Sequence, residues 1–509
     1  MPPQITLKLS VSEKRHGALH KHAVLQSATR LEHQHLVSIY YDTDDLRLRN
    51  AGIILRLRRN GESWSQTVKR QDVTQGGLTR RLEWHDPYLG RFDFSVIDDA
   101  GLQKWLQRPK LELKLKAIFE TNFHRSIWQL EPRHGVKILA KLDQGSVIAA
   151  GRRATISELE LQLLTGNLDE LYELALQLAQ KEALPLLPTA KSERGYQLFL
   201  NQPRQAVKAG PLTIDPRDTP LEAFRIIALA SFMQLQLNSE GAILTDDPEY
   251  VHQMRVAMRR LRAAMRMFNP VLPTGFAEHL VPLLRELMQQ LGQARDLDVL
   301  IAEIVAPVAQ ALPLEPRLME LTNAITNRLF DVRATTRAFL QRPAYGQRLL
   351  MSTQWLNSQD FVKPPDQAGA HLSLLEFANK RLHRLLRNVL ALANAACVED
   401  PASLHSLRIG IKRLRYGIEF FGHMIPGNKG AKIVMRLAGL QEELGQLNDL
   451  ASAGILLMEC AGNDVQLREA VTLIGGWHGT HHKALLDDVP AKLKLIRGLK
   501  IPHLACHGS

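Results

Sequence analysis

Val251-His252-Gln253-Met254-Arg255-Val256-Ala257-Met258-Arg259-Arg260-Leu261-Arg262 recurs in this chain as Leu404-His405-Ser406-Leu407-Arg408-Ile409-Gly410-Ile411-Lys412-Arg413-Leu414-Arg415. The second copy follows the first by 153 residues (405 − 252). Leu291-Gly292-Gln293 through Asp296 returns at the same offset as Leu444-Gly445-Gln446 through Asp449. Two motifs sharing one offset mark an internal duplication. Apolar residues through 221–237, 251–268 and 280–291 step by three and four, so the duplicated part is predicted to be all-helical.

On a helix advancing 100° per residue, His252, Arg255, Arg259, Arg262 and Arg266 fall within an arc of about 80°. Met258, Leu261, Met265 and Phe268 gather on another face and should point to the core, while Arg260 lies apart. The second copy places His405, Arg408, Lys412 and Arg415 in the same arc, with Glu419 where Arg266 would repeat. Like charges stacked along one stripe are unfavourable unless an anion neutralises them. A fold needs its apolar face twice, but nothing in folding requires the basic face twice. Tyr416 is the one aromatic along the stripe, which serves base stacking poorly. A regularly charged inorganic polyphosphate is therefore expected as ligand, and nucleic acid is disfavoured.

The chain has 509 residues, too many for one core, and 64 Lys and Arg against 52 Asp and Glu, a formal charge of +12. Such an excess suits a polyanionic partner. No apolar run reaches 18 residues, so no membrane span is expected. The start, Met-Pro-Pro-Gln, has neither a basic nor an apolar leader region, and three cysteines (Cys397, Cys460, Cys506) form no even framework. A reducing cytoplasm is the expected compartment.

Residues 1–200 carry short alternating segments: Ile5-Thr6-Leu7-Lys8-Leu9, Ile54-Leu55-Arg56-Leu57-Arg58 and Leu159-Glu160-Leu161-Gln162-Leu163. Turn residues such as Asn60-Gly61 separate them. Their polar partners are mostly charged, which fits either a solvated outer face or a barrel with a charged lumen. Pro203, Gly210, Pro211, Pro216 and Pro220 break the stretch 201–220, a predicted linker. The expected organisation is thus α+β: a β domain at 1–200, the linker, and a helical domain at 221–500 with repeats at about 221–355 and 374–500, split near Lys363-Pro364-Pro365-Asp366.

The duplicated helix, with Leu291-Gly-Gln-Ala-Arg-Asp-Leu-Asp298, resembles the CHAD domain, a duplicated helical-bundle fold. That resemblance implies polyphosphate binding by His252, Arg255, Arg259, Arg262 and Arg266 and by His405, Arg408, Lys412 and Arg415. The first 200 residues resemble the CYTH domain, an eight-stranded antiparallel triphosphate-tunnel barrel. The resemblance rests on Tyr40-Tyr41-Asp42-Thr43, Arg56-x-Arg58, Lys69, Arg81-x-Glu83, Phe123-x-Arg125, Asp143-Gln-Gly145, Glu158-x-Glu160 and Lys191-x-x-Arg194-Gly195-Tyr196. It implies that Arg56, Arg58, Lys69, Arg81, Arg125, Lys191 and Arg194 hold triphosphate and that Lys8, Glu158 and Glu160 serve catalysis. Glu83, Asp143, Glu158 and Glu160 would hold Mg²⁺ or Mn²⁺.

The chain departs from the family's opening Glu-x-Glu-x-Lys, reading Gln4-Ile-Thr6-Leu-Lys8, and its late acidic strand ends in Gln162. An amide or hydroxyl is a poor ligand for a hard cation. The leading expectation is a metal-dependent inorganic triphosphatase coupled to a polyphosphate-binding module, in the cytoplasm or at polyphosphate granules. The alternative is a weak or inactive barrel in a polyphosphate-binding adaptor. His478, His481 and His482 have helical metal-ligand spacing without a matching carboxylate or cysteine, and Asp296 and Asp449 are expected to serve helix packing.

Overall fold

A computed structural model describes residues 4–70, 74–75, 78–273, 275–358, 361 and 372–504; Arg81 has a described backbone but its side chain, like Cys506, lies outside the described residues. The chain divides into two compact units. One comprises Met1–Val207, Phe232–Ile243 and Leu340–Ser358, the other Lys208–Ser231, Leu244–Phe339 and Gln359–Ser509.

The first unit is built on antiparallel strands β1 (Gln4–Ser10), β2 (Thr29–Asp42), β3 (Ile53–Asn60), β4 (Ser63–Arg70), β5 (Thr74–Gln75), β6 (Leu78–Pro87), β7 (Lys116–Leu130), β8 (Lys137–Ala149) and β9 (Arg152–Thr165). Their order is β1-β9-β8-β7-β2-β3-β4-β6, and β6 pairs back onto β1. Eight strands therefore close a ring, while the two-residue β5 pairs with β6. The two-residue connection between β8 and β9, Ala150-Gly151, has φ of 47° and 75°, the positive pair of a hairpin turn that matches the native strand twist.

Alternation sorts the side chains across the ring wall. Leu7, Leu9, Ala140, Leu142, Leu159 and Leu161 point outward into a core completed by helix Leu168–Leu178. The charged partners point inward: Lys8, Arg56, Asp143 and Glu158 are at most 6% exposed. Of the two expectations for this alternation, the charged lumen is the one observed.

Helix Lys191–Phe199 is fastened to the ring by Asp42, a buried carboxylate that accepts from the backbone nitrogens of Thr43, Leu48 and Arg49 and from the Tyr196 hydroxyl at 2.9 Å. Gly195 permits this seat, because a Cβ there would lie 2.2 Å from the Phe119 ring. The docking brings Lys191 and Arg194 to the lumen mouth.

The second unit is helical, and its duplication is visible in the backbone. Helices Pro248–Phe268 and Pro401–Phe421 begin and end at the 153-residue offset, each capped by an aspartate, Asp247 or Asp400, and each leads into a short 3₁₀ turn. Helices Phe276–Val299 and Lys429–Ala461 then start at the same offset. Met258, Leu261 and Phe268 are fully buried, as their spacing predicts. Phe224, Phe268, Phe276, Phe361, Phe377 and Phe421 cluster into an aromatic core, with their rings mostly tilted or edge-on to one another. Among the described residues no helix is long and apolar enough to cross a membrane.

Candidate functional site

The strand register assembles the barrel site in layers. Lys8 on β1 lies opposite Glu160 on β9, which lies opposite Lys141 on β8; Thr6 lies opposite Gln162. Asp143 and Glu158 form the adjacent rung, with Arg125 next to Asp143 on β7. Across the ring, Arg56 Nη2 donates to Thr67 Oγ1 at 3.1 Å and Arg58 Nε to Ser38 Oγ at 3.0 Å. Phe123 forms a floor, its ring 5.9, 5.5 and 5.2 Å from the cationic groups of Arg58, Arg125 and Lys191.

Every lumen carboxylate is engaged by cations. Arg125 grips Asp143 through two hydrogen bonds of 2.7 Å, and Lys191 reaches the same carboxylate at 2.7 Å while also pairing with Glu158. Arg194 closes on Glu158 from the helix side. Glu83 pairs with Lys69 and, at 3.1 Å, with His85. Glu160 lies 3.8 Å from Lys141 Nζ and 4.0 Å from Lys8 Nζ. Burial alone would raise these acids, but the surrounding cations prevail: Glu158 is held down at about 2 by Lys191, Arg194 and Lys8, and Glu160 and Glu83 also titrate well below the usual range. Burial, with Arg56 and Arg125 nearby, lowers the Arg58 guanidinium to about 9.

Eight described cations (Lys8, Arg56, Arg58, Lys69, Arg125, Lys141, Lys191, Arg194) thus face four carboxylates (Glu83, Asp143, Glu158, Glu160). The described lumen therefore carries a net positive charge.

The donor set does not fit a divalent cation. Among the described residues no group of three or more His, Cys, Asp or Glu gathers to hold one. Glu83, Asp143, Glu158 and Glu160, expected as ligands, are instead distributed among guanidinium and ammonium partners. The Gln162 amide oxygen accepts from Lys141 Nζ, and Thr6 presents a hydroxyl. A divalent ion at Glu160 would have to share that carboxylate with the ammonium groups of Lys141 and Lys8, which lie 3.8 and 4.0 Å from its oxygens and would repel it. Lys141 was not singled out from sequence, although its position two before Asp143 on an alternating strand puts it on the same face. His85 was missed too.

In the helical unit, the two basic stripes meet. Burial depresses Arg408 and Lys412, and Arg259 lies close enough to add to the effect on both, as Arg255 does on Lys412. Arg255, Arg259, Arg408 and Lys412 therefore form one cluster drawn from both copies. Arg255 also approaches Asp296 at 3.6 Å, and Asp449 faces Arg408 and Lys412. The repeated aspartates border the basic cluster, and Asp296, 64% exposed, does not sit in a packed helix interface. Gly292 makes room for Arg255, since a Cβ there would lie 2.8 Å from Arg255 Nη1; its counterpart Gly445 has open space.

Arg262 and Arg266 are exposed and are influenced by Arg285 and Arg413 rather than by the shared cluster. His405 bonds Asn448 at 2.8 Å, and Arg415 lies 3.7 Å from Glu419. His252, half-buried, is lowered by burial and by Arg295, a basic neighbour the sequence reading passed over. Arg260, set apart on the helical wheel, is buried near Glu419 and Tyr416. Buried Nε atoms of Arg259, Arg408 and Arg415 have no hydrogen-bond partner among the described residues.

Residues 3–196 match the CYTH domain, and residues 226–457 match the CHAD domain. The chain belongs to the CHAD-domain proteins and carries a CYTH domain ahead of that module. It is 31% identical over 204 residues to the inorganic triphosphatase of Haemophilus influenzae, a match covering 40% of this chain and 56% of that protein's length. The crystal structure of the CHAD domain from the plant Ricinus communis is similar over all of its own length and 60% of this chain, with 31% identity and a TM-score of 0.51.

Proposed function

We propose that the barrel binds inorganic triphosphate and hydrolyses it slowly, while the helical unit binds inorganic polyphosphate and holds the protein at polyphosphate in the cytoplasm. The observation that carries the barrel reading is the excess of inward cations over carboxylates, together with Thr6 and Gln162 on adjacent strands where the resemblance implies metal-binding acids. The similarity to the Haemophilus influenzae inorganic triphosphatase supports triphosphate as the substrate class. Lys8, Arg56, Arg58, Lys69, Arg125, Lys191 and Arg194 would bind and orient phosphate oxygens, and closure of the ring would limit water around them.

For the helical unit, four basic side chains gathered from both copies, bordered by Asp296 and Asp449, favour an anion with repeated charge. Nucleic acid is less well served, because half-buried Tyr416 stacks on Phe420 rather than standing free as a base platform.

The barrel reading is tested by triphosphate binding and phosphate release measured on the full chain with Mg²⁺ and with Mn²⁺. Arg56→Ala should weaken triphosphate binding roughly 10–100-fold, the worth of a charge-assisted contact. Rapid turnover by the wild-type chain at low metal would refute the slow-hydrolysis reading.

The polyphosphate reading carries a pH signature. Burial, with Arg408 and Arg259 close by, lowers the Lys412 ammonium to about 8; Arg255 pushes the same way and Asp449 opposes it. A bound anion raises that value, so binding takes up a proton near pH 8. Affinity should therefore fall as the pH rises from 7 through 9, and Lys412→Arg should flatten the decline in a fluorescence titration. An identical slope in both proteins would remove Lys412 from the site.

A further inference from the structure

We propose that Lys141 takes over the charge-neutralising place of the divalent cation in this barrel, so that triphosphate binds here as the metal-free anion. The inference rests on the triphosphate reading above and adds the form in which the ligand is taken.

Three observations meet at one level of the ring. Thr6 and Gln162, the uncharged side chains, sit opposite each other on β1 and β9. Lys141, on β8, donates its ammonium to the Gln162 amide oxygen and lies 3.8 Å from Glu160, while Lys8 approaches the other Glu160 oxygen at 4.0 Å. The Lys141 side chain is only 15% exposed, so its charge has been brought into the lumen rather than left in water. Burying an ammonium is costly unless it meets a partner. Here its partners are a neutral amide and a carboxylate already shared with Lys8.

The uncharged and cationic residues answer one another. Where acids would let a cation enter, this chain has Gln4, Thr6 and Gln162, and the Lys141 ammonium stands beside the last of them. Thr6 Oγ1, on a side chain 2% exposed, has no hydrogen-bond partner among the described residues and can serve a phosphate oxygen either as donor or through water. A compact ammonium can meet phosphate oxygens directly and needs no ligand sphere of its own.

The test is isothermal titration of inorganic triphosphate into the full chain bearing Arg255→Gln, Arg259→Gln, Arg408→Gln and Lys412→Gln, so that the barrel is read alone. Titrations run in excess chelator and in millimolar Mg²⁺. The proposal expects binding in chelator at least as tight as with Mg²⁺. It expects Lys141→Ala to weaken chelator binding roughly tenfold or more, with Lys141→Arg restoring most of it. Circular dichroism checks that each variant is folded. Binding that appears only with Mg²⁺ overturns the proposal and leaves the triphosphate reading standing, as does chelator binding unchanged by Lys141→Ala. No binding under either condition overturns the triphosphate reading itself, and the proposal with it.

Discussion

Replacing Arg255, Arg259, Arg408 and Lys412 together by glutamate will abolish polyphosphate binding, with affinity falling by more than ~10³-fold. The expectation follows from the meeting of the two basic stripes, since these four side chains act on one another across the repeat. Reversing all four turns an attractive patch into one that adds to Asp296 and Asp449. The apolar face is untouched: Met254, Met258, Leu261, Leu407, Ile411 and Leu414 stay buried on the opposite side of the helices. Helical content by circular dichroism should thus be retained, and replacement by glutamine should give an intermediate loss. Because counterions leave the polymer on binding, wild-type affinity should drop steeply between 50 and 200 mM salt by analogy with nucleic acids. Undiminished binding by the folded reversed protein would sink the assignment, and preference for single-stranded RNA over polyphosphate in competition would redirect it.

A second large effect is expected from rebuilding the acids. Gln4→Glu, Thr6→Glu and Gln162→Glu combined with Lys141→Ala should create a divalent-cation site where the present chain repels one. Mn²⁺ binding followed by electron paramagnetic resonance should appear in the variant and be absent from the barrel of the parent. Phosphate release from triphosphate should become metal-dependent and rise ~10²-fold or more at millimolar metal. The three acids without Lys141→Ala should gain less, because the ammonium competes for the same oxygens. Glu160→Gln in the rebuilt protein should reverse the gain. If the fourfold variant binds no metal, the departures at positions 4, 6 and 162 are not what weakens the site.

Much of this arrangement was legible before any fold was known, and the reason differs between the two halves. A helix converts spacing into direction by local geometry alone, so the stripes at 252–266 and 405–415 could be drawn from sequence, and the 153-residue offset reappears in helix ends and caps. Strand alternation gave the shared face of Arg56 and Arg58, and of Glu158 and Glu160, for the same reason. What could not be read is whatever depends on register between distant strands. The level of Lys141 beside Glu160 and Gln162 is fixed by the β8–β9 pairing, and the grip of Lys191 and Arg194 on Glu158 by a helix that docks through Asp42 and Tyr196. Arg260 shows the limit on the helical side: one helix's wheel cannot foresee that a neighbour with Glu419 will cover it.

Asp143 and Glu158 also bear on how such a lumen can be assembled at all. A ring of cations enclosed by a closed sheet would repel itself apart during folding, long before any phosphate arrived. These two acids are counterions built into the chain, and Arg125, Lys191 and Arg194 gather around them. Because Glu158 is depressed to about 2 when folded, its contribution is complete above the usual carboxylate range and disappears as the medium is acidified through that value. On the proposed function, ligand capture would be an exchange of anions within a cavity that is already shaped, in which an arriving phosphate displaces a carboxylate from a waiting cation. The ion pairs of Asp143 and Glu158 thus stabilise the barrel with no ligand in it, a contribution that does not depend on turnover.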